Sequence, residues 1–219
     1  MTDFAKARAN MVESQIRPNN VTDIPLLRAF LNVRREAFVP VQMRPFAYMD
    51  EDLALRGLEP SRVLLEPMTL ARMMQLAEVR PGDLVLDLAC ATGYSTAVLS
   101  QLADAVVALE ENETLASEAE RVLGEEGYAN VAVVRGPHAQ GWRKEAPYDV
   151  ILVNGAVHEV PQAWLDQLRP GGRLVCVVGE GQAGRIRLFR GGKSGAGVDS
   201  FNAAVPLLDG FERKAQFVF

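Results

Sequence analysis

The sequence predicts an α/β fold: a doubly wound, seven-stranded, mostly parallel sheet preceded by an N-terminal helical extension. Three observations lead there. After Arg80-Pro81-Gly82, short apolar runs alternate with amphipathic stretches, as expected for parallel strands joined by crossover helices. The first of those runs ends in an acid and passes through a loop of small residues into a helix. The chain of 219 residues is ample for one hydrophobic core and short for two. A single domain is therefore expected, with residues 1–80 forming helices and a wrapping segment and residues 81–219 the core.

The first forty residues read as helices. Phe4, Ala7, Met11, Val12 and Ile16 keep roughly helical spacing, and Thr22 or Asp23 is placed to cap a segment carrying Leu26, Leu27, Phe30 and Leu31. Arg17-Pro18-Asn19-Asn20 separates the two. From Val41 to Pro60 neither period is clear and Pro45, Gly57 and Pro60 interrupt, so an irregular wrapping segment is expected. A helix follows from Pro67 to Glu78. Strands are then expected at Leu84–Leu88, Ala105–Leu109, Val131–Val134, Tyr148–Val153 and Arg173–Val178, with helices at Tyr94–Leu102, Asn112–Gly124 and Pro161–Leu168 between them. Two last strands, near Ile186–Phe189 and Arg213–Phe219, fit an antiparallel finish at the sheet edge.

Composition removes several function classes. A hydrophobic fraction of 48% with 23% charged residues is ordinary for a globular protein, and no run approaches the roughly 18 apolar residues of a membrane span. The opening MTDFAKARANMVES lacks the apolar core of a secretory signal, which makes a cytoplasmic address the expectation. Two cysteines, Cys90 and Cys176, and two histidines, His138 and His158, offer no metal-binding spacing, so no metal is expected. The net charge of −5 gives no general attraction to nucleic acid. Arg185, Arg187, Arg190 and Lys193 form a local basic stretch that reads as a solvated edge strand.

The stretch VLDLACATGY, Val85 to Tyr94, carries the most chemistry. Small side chains let the loop backbone approach a ligand, and the helix that follows presents free N–H groups at the carboxyl edge of a Rossmann-like sheet. Asp87 is placed to accept from a cationic amino group or a bridging water. The next strand ends at Glu110, about twenty residues on, where an acid takes both hydroxyls of a ribose. YDVILVNGA ends beside the same crevice, and LRPGGRLV supplies a helix stop, a tight turn and the fifth strand.

In that order, VLDLACATGYSTAVL, VALEE, APYDVILVNGA and LRPGGRLVCVVG resemble the successive cofactor-site motifs of S-adenosylmethionine-dependent methyltransferases. MVESQI, REAFVP, AYMDEDLAL and Gly141-Trp142 resemble one branch in particular, the protein-L-isoaspartate O-methyltransferases. The resemblance implies S-adenosylmethionine as cofactor, held by Asp87, Ala89, Cys90, Ala91, Gly93, Tyr94, Glu110, Gly136, Pro137 and Asn154. It also implies isoaspartyl-containing proteins or peptides as methyl acceptors, in a reaction that begins protein repair. The α-carboxylate of such an acceptor is already a nucleophile at neutral pH, so catalysis is mainly alignment with the methyl group.

The chain departs from that family at four places. A family serine hydroxyl, which helps hold the acceptor oxygen, matches Leu65, followed by Glu66 and Pro67. Leu65 donates nothing, and an ionised Glu66 nearby would repel a carboxylate. The first two of three family loop glycines are Ala89 and Ala91, leaving Gly93. The family's Gly-Asp-Gly, whose acid receives the adenine amino group, is Gly136-Pro137-His138. Three readings follow: an active isoaspartyl carboxyl methyltransferase, the first choice on the resemblance, in which Thr69, one turn beyond Leu65, or a backbone N–H replaces the missing donor, with activity expected to be weakened or altered; a methyltransferase with another acceptor; or a non-catalytic descendant that binds a partner or a different small ligand. Two further motifs lack their context. Gly179 to Gly184 satisfies G-x-G-x-x-G but leads into a strand-like segment, and Gly192-Lys193-Ser194 lacks the leading glycine of a phosphate loop.

Overall fold

The computed structural model of the protein describes residues 3–55, 62–192 and 197–213. Helix α1, Phe4–Met11, starts where the Asp3 side chain accepts from Lys6 N, and it continues through a π-helical turn, Val12–Ile16, and a 3₁₀ turn, Arg17–Asn19. Asn20, in the left-handed region at φ 63°, ends that run. Of the two residues placed to cap α2, Ile24–Asn32, Asp23 does so, accepting from Leu26 N at 2.8 Å. The irregular segment that follows holds two 3₁₀ turns, Arg35–Phe38 and Val41–Phe46. It also holds an antiparallel ribbon of β1, Leu53–Ala54, and β2, Val63–Leu64. Helix α3, Pro67–Ala77, ends at Glu78 in the left-handed region.

The main sheet begins with β3, Leu84–Leu88. In chain order it continues with α4 (Tyr94–Ser100), β4 (Ala105–Glu110), α5 (Glu113–Glu125), β5 (Val131–Arg135), β6 (Tyr148–Val157), α6 (Gln162–Leu165), β7 (Leu168–Val178), β8 (Arg185–Arg190) and β9 (Val198–Asn202). Its strand order is β5-β4-β3-β6-β7-β8-β9. The first five strands in that order pair in parallel, whereas β8 and β9 are antiparallel. Alternation along the strands divides the core. Val85, Val106, Ala108, Val150 and Leu152 face a cluster that includes residues of α2, α3, α4 and α5. Leu86, Leu88, Leu109, Ile151 and Val153 face the other side, beneath Trp164 of α6 and Phe211.

Several boundaries differ from the sequence expectation, among them the start of β7, at Leu168 and not Arg173, and the end of α4, at Ser100 and not Leu102. The helix expected at Pro161–Leu168 closes after one turn, because Leu168 already pairs with Tyr148 and Gln167 turns inward. The Gln167 amide donates to Gln140 O and Ala163 O and accepts from Trp142 N. Strand β6 continues past Val153 to Val157, with a register shift against β7 between Leu152 and Ala156. Among the described residues the seventh strand is Val198–Asn202, the local partner of β8, whereas the sequence predicts a strand near Arg213–Phe219. Residues 214–219 of that expected strand, and Lys193 and Ser194, lie outside the described residues. The basic edge strand is internally matched: Arg185 and Arg187 both face Asp199 on β9.

Among the described residues, no helix is long and apolar enough to cross a membrane, and no group of His, Cys, Asp and Glu could hold a metal ion.

One arginine fastens α3 to the sheet. Arg173 on β7 is buried and donates to Ala77 O at 2.8 Å, to Glu78 O at 3.2 Å and to the Asp83 carboxylate. These are the orphan carbonyls of a helix end and a buried acid. Arg173→Leu should lower stability by about 3–5 kcal/mol, because Asp83 would be left charged and unpaired. The measurement is the urea-unfolding midpoint, and a shift worth less than about 1 kcal/mol would refute this role.

Candidate functional site

At β3 the chain order reverses, with β4 on one side and β6 on the other. Ligands of doubly wound sheets bind in the crevice beyond the carboxyl ends at such a point. Asp87 ends β3 there and is fully buried. Its Oδ2 accepts from Ser95 Oγ at 2.7 Å and Thr96 Oγ1 at 2.6 Å, and its Oδ1 accepts from Asn154 Nδ2 at 2.7 Å. Asn154 sits in the irregular stretch of β6, where two residues beyond the ladder re-aim the strand. Its amide also donates to Leu88 O. Burial pushes the Asp87 carboxyl up to about 6, against the lowering effect of the bonds from Thr96, Ser95 and Asn154.

The loop from Ala89 to Gly93 turns over this carboxylate. Ala89, Ala91 and Gly93 all have positive φ, at 60°, 52° and 92°. Left-handed backbone suits glycine and costs roughly 1–2 kcal/mol for a residue with a Cβ. The turn is held by Ala89 N donating to Leu109 O at 2.8 Å and Gly93 N donating to Cys90 O at 2.9 Å. Cys90 is buried, and burial raises its thiol well above the ordinary range, which leaves it unreactive. Tyr94, also buried, starts α4 against the Arg35 guanidinium, 4.6 Å from its ring centroid.

Glu110 ends β4 beside the loop. Its Oε2 accepts from Ala91 N at 2.9 Å, and its Oε1 accepts from Glu111 N at 3.0 Å and Asn112 N at 3.1 Å. His138 Nε2 lies 3.4 Å from Oε1. Burial alone would raise this carboxyl, but His138, Arg62 and the backbone donors together hold it below its ordinary value. The expected adenine side is differently built. Pro137 is exposed, and a Cβ on Gly136 would stand 3.1 Å from the Trp142 indole, so that ring already lies against the backbone.

On the acceptor side Leu65 is buried, and its carbonyl accepts from Arg35 at 2.9 Å. The Thr69 hydroxyl is buried and donates to Glu66, whose N–H in turn donates to Asp52 Oδ1 at 2.8 Å. The structure therefore gathers Leu65, Asp87, Ala89, Cys90, Ala91, Gly93, Tyr94, Glu110 and Asn154 around one switch point. Leu65, Leu70, Cys90, Ala91, Tyr94 and Asn154 line a cavity of about 10 Å³, no more than one water requires. Larger hollows lie away from the two acids: one of about 610 Å³ beside His158, Pro161 and Phe211, and one of about 440 Å³ beside Pro137, Trp142 and Lys144.

Sequence reasoning missed Ser95 and Thr96 as partners of Asp87, although two hydroxyls in the first turn after the loop were a signal. It also missed Arg62 and the engagement of His138 with Glu110 and Glu111, which need the fold to bring them together.

A parallel sheet that reverses at β3, with an acid at the end of each of two neighbouring strands and a tight loop between them, defines the Rossmann-like nucleoside-binding class of α/β proteins. The chain belongs to the protein-L-isoaspartate(D-aspartate) O-methyltransferase family, whose model matches residues 6–205. A protein-L-isoaspartate O-methyltransferase of Koribacter versatilis is 36% identical over 190 residues, covering 87% of this chain and 84% of that protein. One from a Synechococcus species is 40% identical over 177 residues, covering 81% and 71%. A solved protein-L-isoaspartate O-methyltransferase superposes with a TM-score of 0.80 at 27% identity, over 93% of this chain and 66% of that one. A Plasmodium falciparum structure described as a putative member in complex with S-adenosyl-L-homocysteine superposes at 0.78 with 16% identity, over 95% and 99%, a likeness of fold.

Two predictions follow from the geometry of the loop and its acid. Ala91→Gly should stabilise the protein by about 0.5–1 kcal/mol, because relief of the left-handed strain exceeds the added freedom of the unfolded chain. Gly93→Ala should destabilise it, since φ there is 92° and the new Cβ would meet Leu123 Cδ1 at 2.9 Å. Thermal unfolding of both variants decides, and equal shifts of one sign would contradict the assignment.

Asp87 binds its proton more tightly in the folded state, at about 6 against an ordinary 3.8. Its contribution to stability is therefore fully present below pH ~4 and is lost as pH rises through about 6. Measured against Asp87→Asn, the unfolding free energy of the native chain should fall by roughly 3 kcal/mol between about pH 4 and pH 7. A difference independent of pH would show that Asp87 titrates normally.

Proposed function

We propose that this family member transfers methyl groups to isoaspartyl carboxylates slowly or not at all, with its cofactor crevice filled by its own side chains. The observation that carries the reading is the engagement of both acids by donors of the fold, with a cavity of only about 10 Å³ among the described residues between Leu65, Cys90 and Asn154. The family resemblance implies S-adenosylmethionine, which when bound supplies the methyl group. Asp87 and Glu110 fit it in kind, since its amino and ribose groups both need acceptors. Most of their acceptor capacity is already used, by Ser95, Thr96 and Asn154 at Asp87 and by three backbone N–H groups at Glu110, which leaves about one position on each.

The acceptor side supports the same reading. Leu65 offers no hydrogen bond to align a carboxylate, and the loss of one preorganised donor reduces turnover by roughly 10²–10³. Thr69, the nearest replacement, spends its hydroxyl on Glu66. Glu66 places a further carboxyl beside the position where an acidic substrate would enter, and like charge opposes it.

The test is radiolabelled methyl transfer to an isoaspartyl peptide at the highest attainable cofactor concentration, comparing the native chain with Leu65→Ser, alongside calorimetric titration with S-adenosylhomocysteine. The expected result is no family-like turnover and weak or undetectable binding by the native chain. Turnover restored in Leu65→Ser alone would place the defect on the acceptor side and refute the filled crevice. Family-like turnover by the native chain would overturn the proposal entirely.

A further inference from the structure

We infer that Arg62 is a built-in counterion for Glu110, and that it competes directly with the hydroxyls of any ribose-bearing ligand for that acid. The inference deepens the filled-crevice reading and rests on it. Arg62 follows the ribbon into β2 and sends its side chain, 11% exposed, into the switch point. Its Nη2 donates to Ala89 O at 2.9 Å, and its Nη1 lies 3.7 Å from Glu110 Oε1. One guanidinium thus spans the end of β3 and the end of β4, the two edges that a ligand crossing the switch point has to reach.

The arithmetic of the carboxylate explains why this excludes a ligand. An ionised carboxylate has about four acceptor positions. Ala91 N, Glu111 N and Asn112 N take three of them. Those donors belong to the backbone of the loop and of the turn into α5, and the fold fixes them. Two of the three fill Oε1, so the open position lies on Oε2 beside Ala91 N. Arg62, 3.7 Å from Oε1, takes no acceptor position and opposes a ligand through its charge and by standing over the acid. His138, 3.4 Å from Oε1, is itself held, with Nε2 3.1 Å from Glu111 N and its own N–H donating to Glu111 Oε2. Arg62 is held by one hydrogen bond, to Ala89 O, and by its ion pair with Glu110, so a single long side chain carries its contact. A diol approaching Glu110 must therefore displace the guanidinium and leave the Ala89 carbonyl to be paired anew. Removal of the arginine should take away the opposing charge and free the space over the acid.

Calorimetric titration with S-adenosylhomocysteine and with adenosine tests this on the native chain, Arg62→Ala, Arg62→Lys and the double variant Arg62→Ala/Glu110→Gln, with melting temperatures recorded for each. Arg62→Ala should bind S-adenosylhomocysteine at least about tenfold more tightly than the native chain, equivalent to ~1.4 kcal/mol. Arg62→Lys should stay closer to native, and the double variant should lose the gain. If Arg62→Ala proves unfolded at the assay temperature, Arg62→Met keeps the packed stem and carries the same comparison. Equal or weaker binding in a folded Arg62→Ala, including no detectable binding in either protein, overturns the inference while the filled-crevice reading stands. Micromolar binding by the native chain overturns that reading, and the ratio between Arg62→Ala and native still decides the role of Arg62.

Discussion

The carboxylate of Asp87 is the interaction on which the rest of the switch point depends. It ends the central strand in complete burial, where an unpaired charge is untenable. Its three donors come from two elements: Ser95 and Thr96 from the first turn of α4, and Asn154 from the irregular end of β6. Satisfying the acid therefore dictates where α4 begins, how tightly the loop from Ala89 to Gly93 must turn, and why β6 leaves its register beside Gly155. The close approach there is visible in the space itself, since a Cβ on Gly155 would stand 2.4 Å from Leu208. The left-handed alanines are the local cost of that turn, held in place by the bonds to Leu109 O and Cys90 O.

Much of this was legible in the chain, and the parts that were not have a common cause. Alternating runs such as Leu84–Leu88 and Ala105–Glu110 are periodic over several residues, and a buried parallel strand reads directly from such a run. The acids at positions 87 and 110 and the small-residue loop between them were likewise readable, because spacing along one βα unit is a local property. Strand β9 was not legible for the opposite reason. Val198–Asn202 has an exposed Val198 and a polar middle, and it is a strand only because β8 offers an edge beside it. Its Phe201 finds a partner in Arg72 of α3, a contact no window of sequence contains. The shortening of the helix before β7 is tertiary in the same way, decided by Gln167 anchoring Gln140, Ala163 and Trp142.

The candidate site divides similarly. Family motifs placed Leu65, Asp87, Gly93, Glu110 and Asn154 at one edge of the sheet, and the fold brings them there. What the motifs do not contain is occupancy. Whether Glu110 is free for a ligand depends on Arg62, which lies on the ribbon before α3, and on His138 after β5, 48 and 28 residues away along the chain. A departure such as Leu65 for serine is read from sequence as a lost donor. The structure adds that the Leu65 carbonyl is tied to the buried Arg35, so that the stretch is fixed as part of the core.

Retention of the two acids is therefore weaker support for ligand binding than it looks in the sequence. Glu110 accepts from the N–H groups of Ala91, Glu111 and Asn112, and so ties the loop to the turn into α5. Asp87 plays the same part for Ser95, Thr96 and Asn154. In a methyltransferase these acids would divide their acceptor positions between the fold and the cofactor. In this chain three donors of the fold meet each acid, and removing either acid leaves buried donors unpaired at roughly 1–3 kcal/mol each, so stability by itself is a reason to keep both. The informative positions are accordingly those that the fold does not need. Leu65 and Pro137 make no side-chain hydrogen bond that holds the turn, so substitutions there report on ligand and substrate with least disturbance of the fold.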